Sequence, residues 1–140
     1  MRLKRFVSLT LVLSLSLSAC QLSDLQTLVG TEQVITKEPT WSVDGDTFTT
    51  TASYDIPEGT ESNTFSLVIN DGVIKSIEIG ITADNKASLK YQKDFADNIS
   101  SLIVGKKISE LKSIDRVSGA SLTTNAFNEA ISRLQSELNS

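Results

Sequence analysis

The sequence predicts an α+β fold in which a small antiparallel sheet, a hairpin plus one or two further strands, packs against two main helices. The first observation is a period of two in the apolar residues between 41 and 81, the period of a half-buried strand. The second is the Asp71-Gly72 dipeptide within that alternation, which favours a hairpin turn. The third is the helical spacing of apolar residues in two later stretches. Because the strands have one apolar and one largely polar face, helices should cover one side of the sheet.

The chain begins with the pattern of a bacterial lipoprotein signal at residues 1–20. Three basic residues precede an apolar stretch at 6–19, which is too short for a stable membrane span of ~20 residues. Leu17-Ser18-Ala19-Cys20 resembles a lipobox, in which the cysteine is acylated, for example with palmitate, and becomes the mature N-terminus. The alternative is an ordinary secretory signal with an incidental Cys20. Residues 21–40 are then expected to be a tether, and 41–140 the globular domain.

Composition narrows the classes of function. Without the signal, ten basic and 17 acidic residues remain, a net charge of −7, which argues against nucleic acid binding. The sequence has no histidine, and Cys20 is its only cysteine. Zinc, haem and iron–sulfur sites therefore lack their usual ligands, and histidine-based nucleophilic triads cannot be built. Redox chemistry would require a bound organic cofactor.

The predicted strands occupy the first part of the domain. Trp41 to Tyr54 alternates around a turn at Asp44-Gly45-Asp46, with Phe48, Thr50, Ala52 and Tyr54 on one face. Pro57-Glu58-Gly59 is predicted to be a loop. The hairpin strands should then run from Asn63 to Asn70 and from Val73 to Ile81. Their shared apolar face is predicted to carry Phe65, Leu67, Ile69, Ile77, Ile79 and Ile81.

The first helix should follow a polar loop at 82–88 and run from about Ser88 to Val104, with Gly105 at its C′ position. Its apolar positions are Leu89, Phe95, Ile99, Leu102 and Ile103. A short connection follows, with three apolar anchors: Ile108, Leu111 and Ile114.

The last helix should run from about Thr123 to Leu138, with Thr123 or Thr124 as its N-cap. Its predicted buried stripe is Phe127, Ala130, Ile131, Leu134 and Leu138.

A run of small residues and hydroxyls, Asp115 to Thr124, immediately precedes this helix. A helix N-terminus exposes unpaired N–H groups and the positive end of the macrodipole, so it suits an anion, most simply a phosphate. Gly119 and Ala120 allow a ligand to approach the backbone, and Arg116 offers a countercharge. Four hydroxyls stand nearby: Ser118, Ser121, Thr123 and Thr124. On these residues alone, a helix start without any ligand remains the alternative.

From about residue 63 to residue 140, the chain resembles the FMN-binding domain family. That family includes flavin-carrying subunits of sodium-pumping quinone reductases and Rnf-type complexes, and small envelope lipoproteins of extracellular electron transfer. The resemblance is carried by Asn70 to Ile74, by Gly105 to Leu111, and by Asp115 to Thr124 with its following helix. The family pattern in the last segment is Asp, two variable positions, Ser or Thr, Gly, Ala, then Thr or Ser.

The resemblance implies that a flavin transferase attaches FMN, through its phosphate, to the hydroxyl of Ser121. It also implies that Asp115 is read by the transferase or fixes the turn. The remaining residues implied at the site are Ser118, Gly119, Ala120, Leu122, Thr123 and Thr124. Serine stands where threonine is commoner, and Thr82 to Ala87 is shorter than the loop that lies near the flavin ring in larger members. The aromatic residues available to stack on the ring, or simply to pack, are Tyr54, Tyr91 and Phe95.

Three functions follow from these expectations. The first is a lipid-anchored, extracytoplasmic electron carrier with covalent FMN, which serves redox partner proteins of the envelope rather than acting as a stand-alone enzyme. The second is a non-covalent FMN binder, and the third is an envelope scaffold lipoprotein of the same fold without flavin. A serine hydrolase that pairs Ser121 with Lys106 or Lys112 has no supporting sequence feature.

Overall fold

The computed structural model describes residues 38–140, so the predicted signal, Cys20 and nearly all of the tether lie outside the described residues. Four strands form one antiparallel sheet in the order β1-β2-β3-β4. The strands are β1 (Ser42–Asp44), β2 (Thr47–Ile56), β3 (Gly59–Asn70) and β4 (Val73–Ile81), and the helices are α1 (Lys86–Ile103) and α2 (Ser121–Leu138). A 3₁₀ turn, Ile108–Glu110, lies between the helices. The predicted α+β class is confirmed, and no helix of the described part is long and apolar enough to cross a membrane.

The β2–β3 hairpin is longer than predicted. β3 begins at Gly59 rather than Asn63, and Gly59 pairs with Ile56, so the predicted loop shrinks to the turn residues Pro57 and Glu58. The missed stretch of strand is polar on both of its faces, and it therefore lacks the alternation from which a strand is predicted. This extension matters for the site, because it carries Glu61 into the structure beside the helices.

A β-bulge changes which residues of β4 face the helices. Ile69 pairs with Ile74 while Val68 pairs with Ser76, so one extra residue, Lys75, is inserted on β4. Ile74 is fully buried as a result, and Ile77 and Ile79 are half-buried. The prediction that Ile81 also faces inward is wrong, since this side chain at the strand end is exposed.

Three phenylalanine rings join the sheet to both helices. The rings belong to Phe65 of β3, Phe95 of α1 and Phe127 of α2, and each of these residues is at most 1% exposed. Their ring centroids lie 5.3, 5.7 and 6.1 Å apart in tilted or edge-on arrangements, the geometry that aromatic quadrupoles favour. The segment before β1 is also fixed to α2, because Trp41 Nε1 donates to the Ala130 carbonyl at 2.9 Å.

Helix α1 begins at Lys86, two residues earlier than predicted. Asn85 is its N-cap, and the Asn85 side chain accepts a hydrogen bond from the Ser88 amide at 2.8 Å. Of the predicted apolar positions, three are fully buried, Leu89 is half-buried and Leu102 is exposed. Gln92 takes a fully buried place on the stripe instead. Gly105 follows the helix with a φ of +86°, as expected at C′.

Helix α2 begins at Ser121, and the predicted capping by Thr123 or Thr124 is wrong. Ala120 occupies the N-cap position without a side-chain hydrogen bond, while both threonines are buried in the first turn. Their hydroxyls are drawn inward because each finds a hydrogen-bond partner there, Tyr54 for Thr123 and the Val117 amide for Thr124. The rest of the predicted stripe is buried except for Leu138, which is exposed near the chain end. The connecting anchors Ile108 and Leu111 are buried, and Ile114 is half-buried, as predicted.

Candidate functional site

A tight turn over Val117 to Ala120 precedes helix α2. The Ala120 amide donates to the Val117 carbonyl at 2.8 Å, and φ is positive at both central residues, +48° at Ser118 and +81° at Gly119. Positive φ at both positions is the pattern of a type I′ turn. Glycine suits position 119 because it adopts a positive φ without strain. Space is not the reason, since an added Cβ would meet only Tyr91, at an ordinary 3.9 Å. The turn therefore leaves open space beside its glycine.

Thr124 holds this turn closed from inside the helix. Its Oγ1 accepts from the Val117 amide at 3.1 Å and donates to the Ala120 carbonyl at 2.7 Å. The side chain is fully buried, so this hydroxyl is a structural one and is not available to a ligand.

The first turn of α2 offers free donors. It has no side-chain cap and no acidic residue, and the Thr124 amide already bonds to the Ala120 carbonyl. Within residues 38–140, the amides of Leu122 and Thr123 have no acceptor. Two unpaired N–H groups at the positive end of the helix dipole are a ready site for an anion.

A cleft of about 150 Å³ lies beside this turn. Its walls come from the turn end of the β2–β3 hairpin and from the first turns of helices α1 and α2. The lining residues are Tyr54, Ile56, Glu61, Ser88, Tyr91, Gly119, Ala120, Ser121, Leu122 and Thr123. Residues from the first two turns of α1 thus line the same cleft as the N-terminus of α2, a neighbour that the sequence did not indicate.

A buried hydrogen-bond network supports the floor of the cleft. Gln92 Nε2 donates to the Tyr54 hydroxyl at 2.8 Å, and that hydroxyl donates to Asn63 Oδ1 at 3.0 Å. Thr123 Oγ1 lies 3.3 Å from the same oxygen, so the proton and both lone pairs of the tyrosine are used. The Tyr54 hydroxyl is therefore fully engaged by protein groups.

Gln92 also fixes the short loop between β4 and α1. Its Oε1 accepts from the amides of Thr82 and Ala83, at 3.0 and 3.2 Å. Sequence reasoning missed Gln92 and Asn63, although both are fully buried. For Gln92 a signal existed, because this polar residue falls on the apolar stripe of α1 three positions before Phe95.

The four predicted hydroxyls differ sharply in availability. Thr123 and Thr124 are 2% and 0% exposed, and their hydroxyls bond to protein groups. Ser118 and Ser121 are both exposed, and of these two Ser121 lines the cleft. Of the four, Ser121 alone combines solvent access with a place in the cleft wall.

The other predicted site residues also differ in whether they line the cleft. Asp115 and Arg116 are exposed and do not line the cleft. Tyr54 and Tyr91 line it, whereas Phe95 is fully buried in the aromatic core and cannot stack on a ligand there. The described residues contain no group of three or more acidic, histidine or cysteine side chains that could hold a metal ion.

A hydrolase that pairs Ser121 with Lys106 or Lys112 is not supported by the structure, since neither lysine lines the cleft. Lys106 and Lys112 line a different groove, beside Leu102 and the 3₁₀ turn. The hydroxyl of Ser121 thus has no lysine beside it to remove its proton.

The hydrogen-bond donors and the walls of the cleft fit FMN. Two amides that have no acceptor among residues 38–140 suit the phosphate, as does the serine hydroxyl. The aromatic and apolar walls of the cleft come from Tyr54, Ile56, Tyr91 and Leu122. Its volume is below the ~300–1,000 Å³ of ordinary small-molecule pockets, so it would enclose only part of a flavin.

A comparison with known protein families matches residues 61–135 to the FMN-binding domain. Comparisons with curated proteins and with solved structures give no match. The matched residues make up more than half of the chain and include β4, helix α1 and the turn that carries Ser121. The protein therefore belongs to the FMN-binding domain family, with FMN as its cofactor.

Proposed function

We propose that this protein is a lipid-anchored, extracytoplasmic electron carrier in which FMN is joined by a phosphoester to Ser121 Oγ. The observation that carries the proposal is the position of this hydroxyl. It is exposed, it lines the cleft, and it belongs to the helix turn whose amides at positions 122 and 123 have no acceptor in the described part of the chain.

Several features favour covalent attachment over simple binding. A phosphate on Ser121 would lie at the positive end of α2, where free amides can donate to it. The cleft is too small to enclose a whole flavin, so non-covalent retention would depend on few contacts. Since no lysine of the predicted hydrolase pairing stands beside Ser121, we expect an external flavin transferase to form the bond.

An electron-transfer role suits a shallow site better than catalysis on a separate substrate. FMN, when bound, supplies one- and two-electron chemistry, and the chain binds and orients it. A flavin held in so small a cleft leaves an edge open to partner proteins. The net charge of −7 after the predicted signal would favour envelope partners with basic docking faces.

Membrane attachment completes the proposal and rests on the lipobox-like sequence that ends in Cys20. Each acyl chain contributes about 0.8 kcal/mol per buried CH₂, so two or three chains hold a small domain firmly at a membrane surface. The tether would separate the flavin domain from the headgroups.

The decisive experiment is co-expression of the full chain with a flavin transferase. We expect the mass to increase by one FMN less one water, and flavin fluorescence to remain with the protein in a denaturing gel. Ser121→Ala should abolish both signals. Ser88→Ala is the matched control, because it removes another cleft hydroxyl and should keep full loading.

Two outcomes would contradict covalent attachment. Flavin that co-purifies but leaves on denaturation would indicate the non-covalent binder, which the free amides of α2 could also serve. A protein of unmodified mass without flavin absorbance, made beside an active transferase, would support the scaffold alternative.

A further inference from the structure

Glu61 places a carboxylate on the wall of the cleft, at a position that its neighbours fix. Asn85 Nδ2 donates to Glu61 Oε1 at 2.6 Å. Longer contacts of 3.5 Å join Glu61 Oε2 to the Tyr54 hydroxyl and to Gln92 Nε2. The two amide groups, Asn85 Nδ2 and Gln92 Nε2, carry the N–H donors that a carboxylate accepts, whereas the Tyr54 proton is already directed to Asn63.

The amide groups that hold Glu61 cannot easily turn away. Asn85 Oδ1 is committed to the Ser88 amide, at the N-cap of α1, so its NH₂ group faces the carboxylate. Gln92 Oε1 receives two backbone amides, so its NH₂ group must face Tyr54 and Glu61. The charge is therefore held by groups whose orientation is set elsewhere in the fold.

The carboxylate also stands near the first turn of α2. The Tyr54 hydroxyl lies 3.5 Å from Glu61 Oε2 and 3.3 Å from Thr123 Oγ1, so both residues lie close to one oxygen. Thr123 is two residues from Ser121, and both line the cleft with Glu61.

We propose that Glu61 is a fixed negative charge that lowers the reduction potential of FMN in this protein. The inference rests on the proposed function, since it requires a flavin held at Ser121. Adding an electron to a ring beside a carboxylate costs more free energy than adding it beside a neutral amide. Because Glu61 is half-buried, salt screens its charge less than that of a surface residue.

The test is the midpoint potential of the loaded, full-length protein, measured by spectroelectrochemical titration. Glu61→Gln keeps the shape and removes the charge, and it should shift the potential in the positive direction. Glu61→Asp retains the charge and should stay close to the wild type. Glu78→Gln is the matched control, because Glu78 is exposed on β4 and does not line the cleft.

Flavin fluorescence in a denaturing gel, recorded before each titration, separates the two proposals. A wild-type protein without flavin overturns the proposed function and this inference with it. A loaded Glu61→Gln variant with an unchanged potential overturns only the inference. Equal shifts in Glu61→Gln and Glu78→Gln also overturn it, because net charge rather than position would then be the cause.

Discussion

At Thr124, a single hydroxyl determines the shape of the turn that presents Ser121. It joins the amide of Val117 to the carbonyl of Ala120 from within the helix, with no exposure to solvent. Thr123, its neighbour, turns its hydroxyl toward Tyr54 instead. Because of these two inward contacts, the residues expected to cap the helix leave the amides of Leu122 and Thr123 without an acceptor among residues 38–140.

Replacing Thr124 by valine should therefore destabilise the domain. The change is nearly isosteric, but it leaves a buried Val117 amide without its side-chain acceptor, a cost of about 1–3 kcal/mol in the free energy of unfolding. Urea denaturation measures the difference. Thr60→Val, at an exposed position of β3, should change the free energy of unfolding by only about 0.5 kcal/mol or less. Equal losses in the two variants would contradict the role assigned to Thr124.

Helix α1 organises one side of the site through two polar residues, its N-cap Asn85 and the buried Gln92. Asn85 caps the helix and holds Glu61, and Gln92, two turns later, holds Tyr54 and the loop at 82–83. The short loop between β4 and α1 is thus fixed to the helix by two hydrogen bonds. A buried polar network of this kind is stabilising only while every member keeps its partner.

Gln92→Leu should release that loop. The amides of Thr82 and Ala83 lose their acceptor, and we expect their hydrogen exchange to accelerate strongly in NMR measurements. Gln135→Leu is a suitable control, because Gln135 donates to the carbonyls of Ile108 and Leu111, away from the cleft. Unchanged exchange at residues 82 and 83 in the Gln92 variant would show that another contact holds the loop.

Over the whole molecule, one aromatic cluster joins three of the four elements that build the cleft, namely β3 and the two helices. Phe65, Phe95 and Phe127 belong to β3, α1 and α2, and the cleft lies where the beginnings of these helices meet the end of the hairpin. The relative position of the two helix N-termini therefore depends on the packing of three rings.

Phe65→Ala should be the most damaging of the variants considered for stability. Truncation of a fully buried phenylalanine costs about 3–5 kcal/mol, which is a large part of the ~5–15 kcal/mol that keeps a typical domain folded. Thermal unfolding followed by circular dichroism should show a large decrease in the midpoint. Leu122→Ala removes an exposed side chain of the cleft rim and should leave the midpoint nearly unchanged. Similar midpoints for both variants would contradict the central role of the ring cluster.

Much of the fold was predictable because its signals are local. Glycine adopts positive φ readily, and it does so in the turns at Gly45 and Gly72 and at the helix end at Gly105. All three features lie where the sequence indicated them. The bulge at Lys75 and the polar start of β3 were not predictable, since neither leaves a periodic trace in the residues.

For the candidate site, the sequence by itself indicated a helix N-terminus that suits an anion, because a glycine turn before an amphipathic helix is a local pattern, and the family resemblance pointed to Ser121. Only the tertiary structure decided which hydroxyls are free and which groups surround them. Tyr54 meets Gln92 from 38 residues away and Thr123 from 69 residues away. Contacts between such distant residues depend on how the sheet and helices pack, and packing is not encoded in the spacing of any one segment.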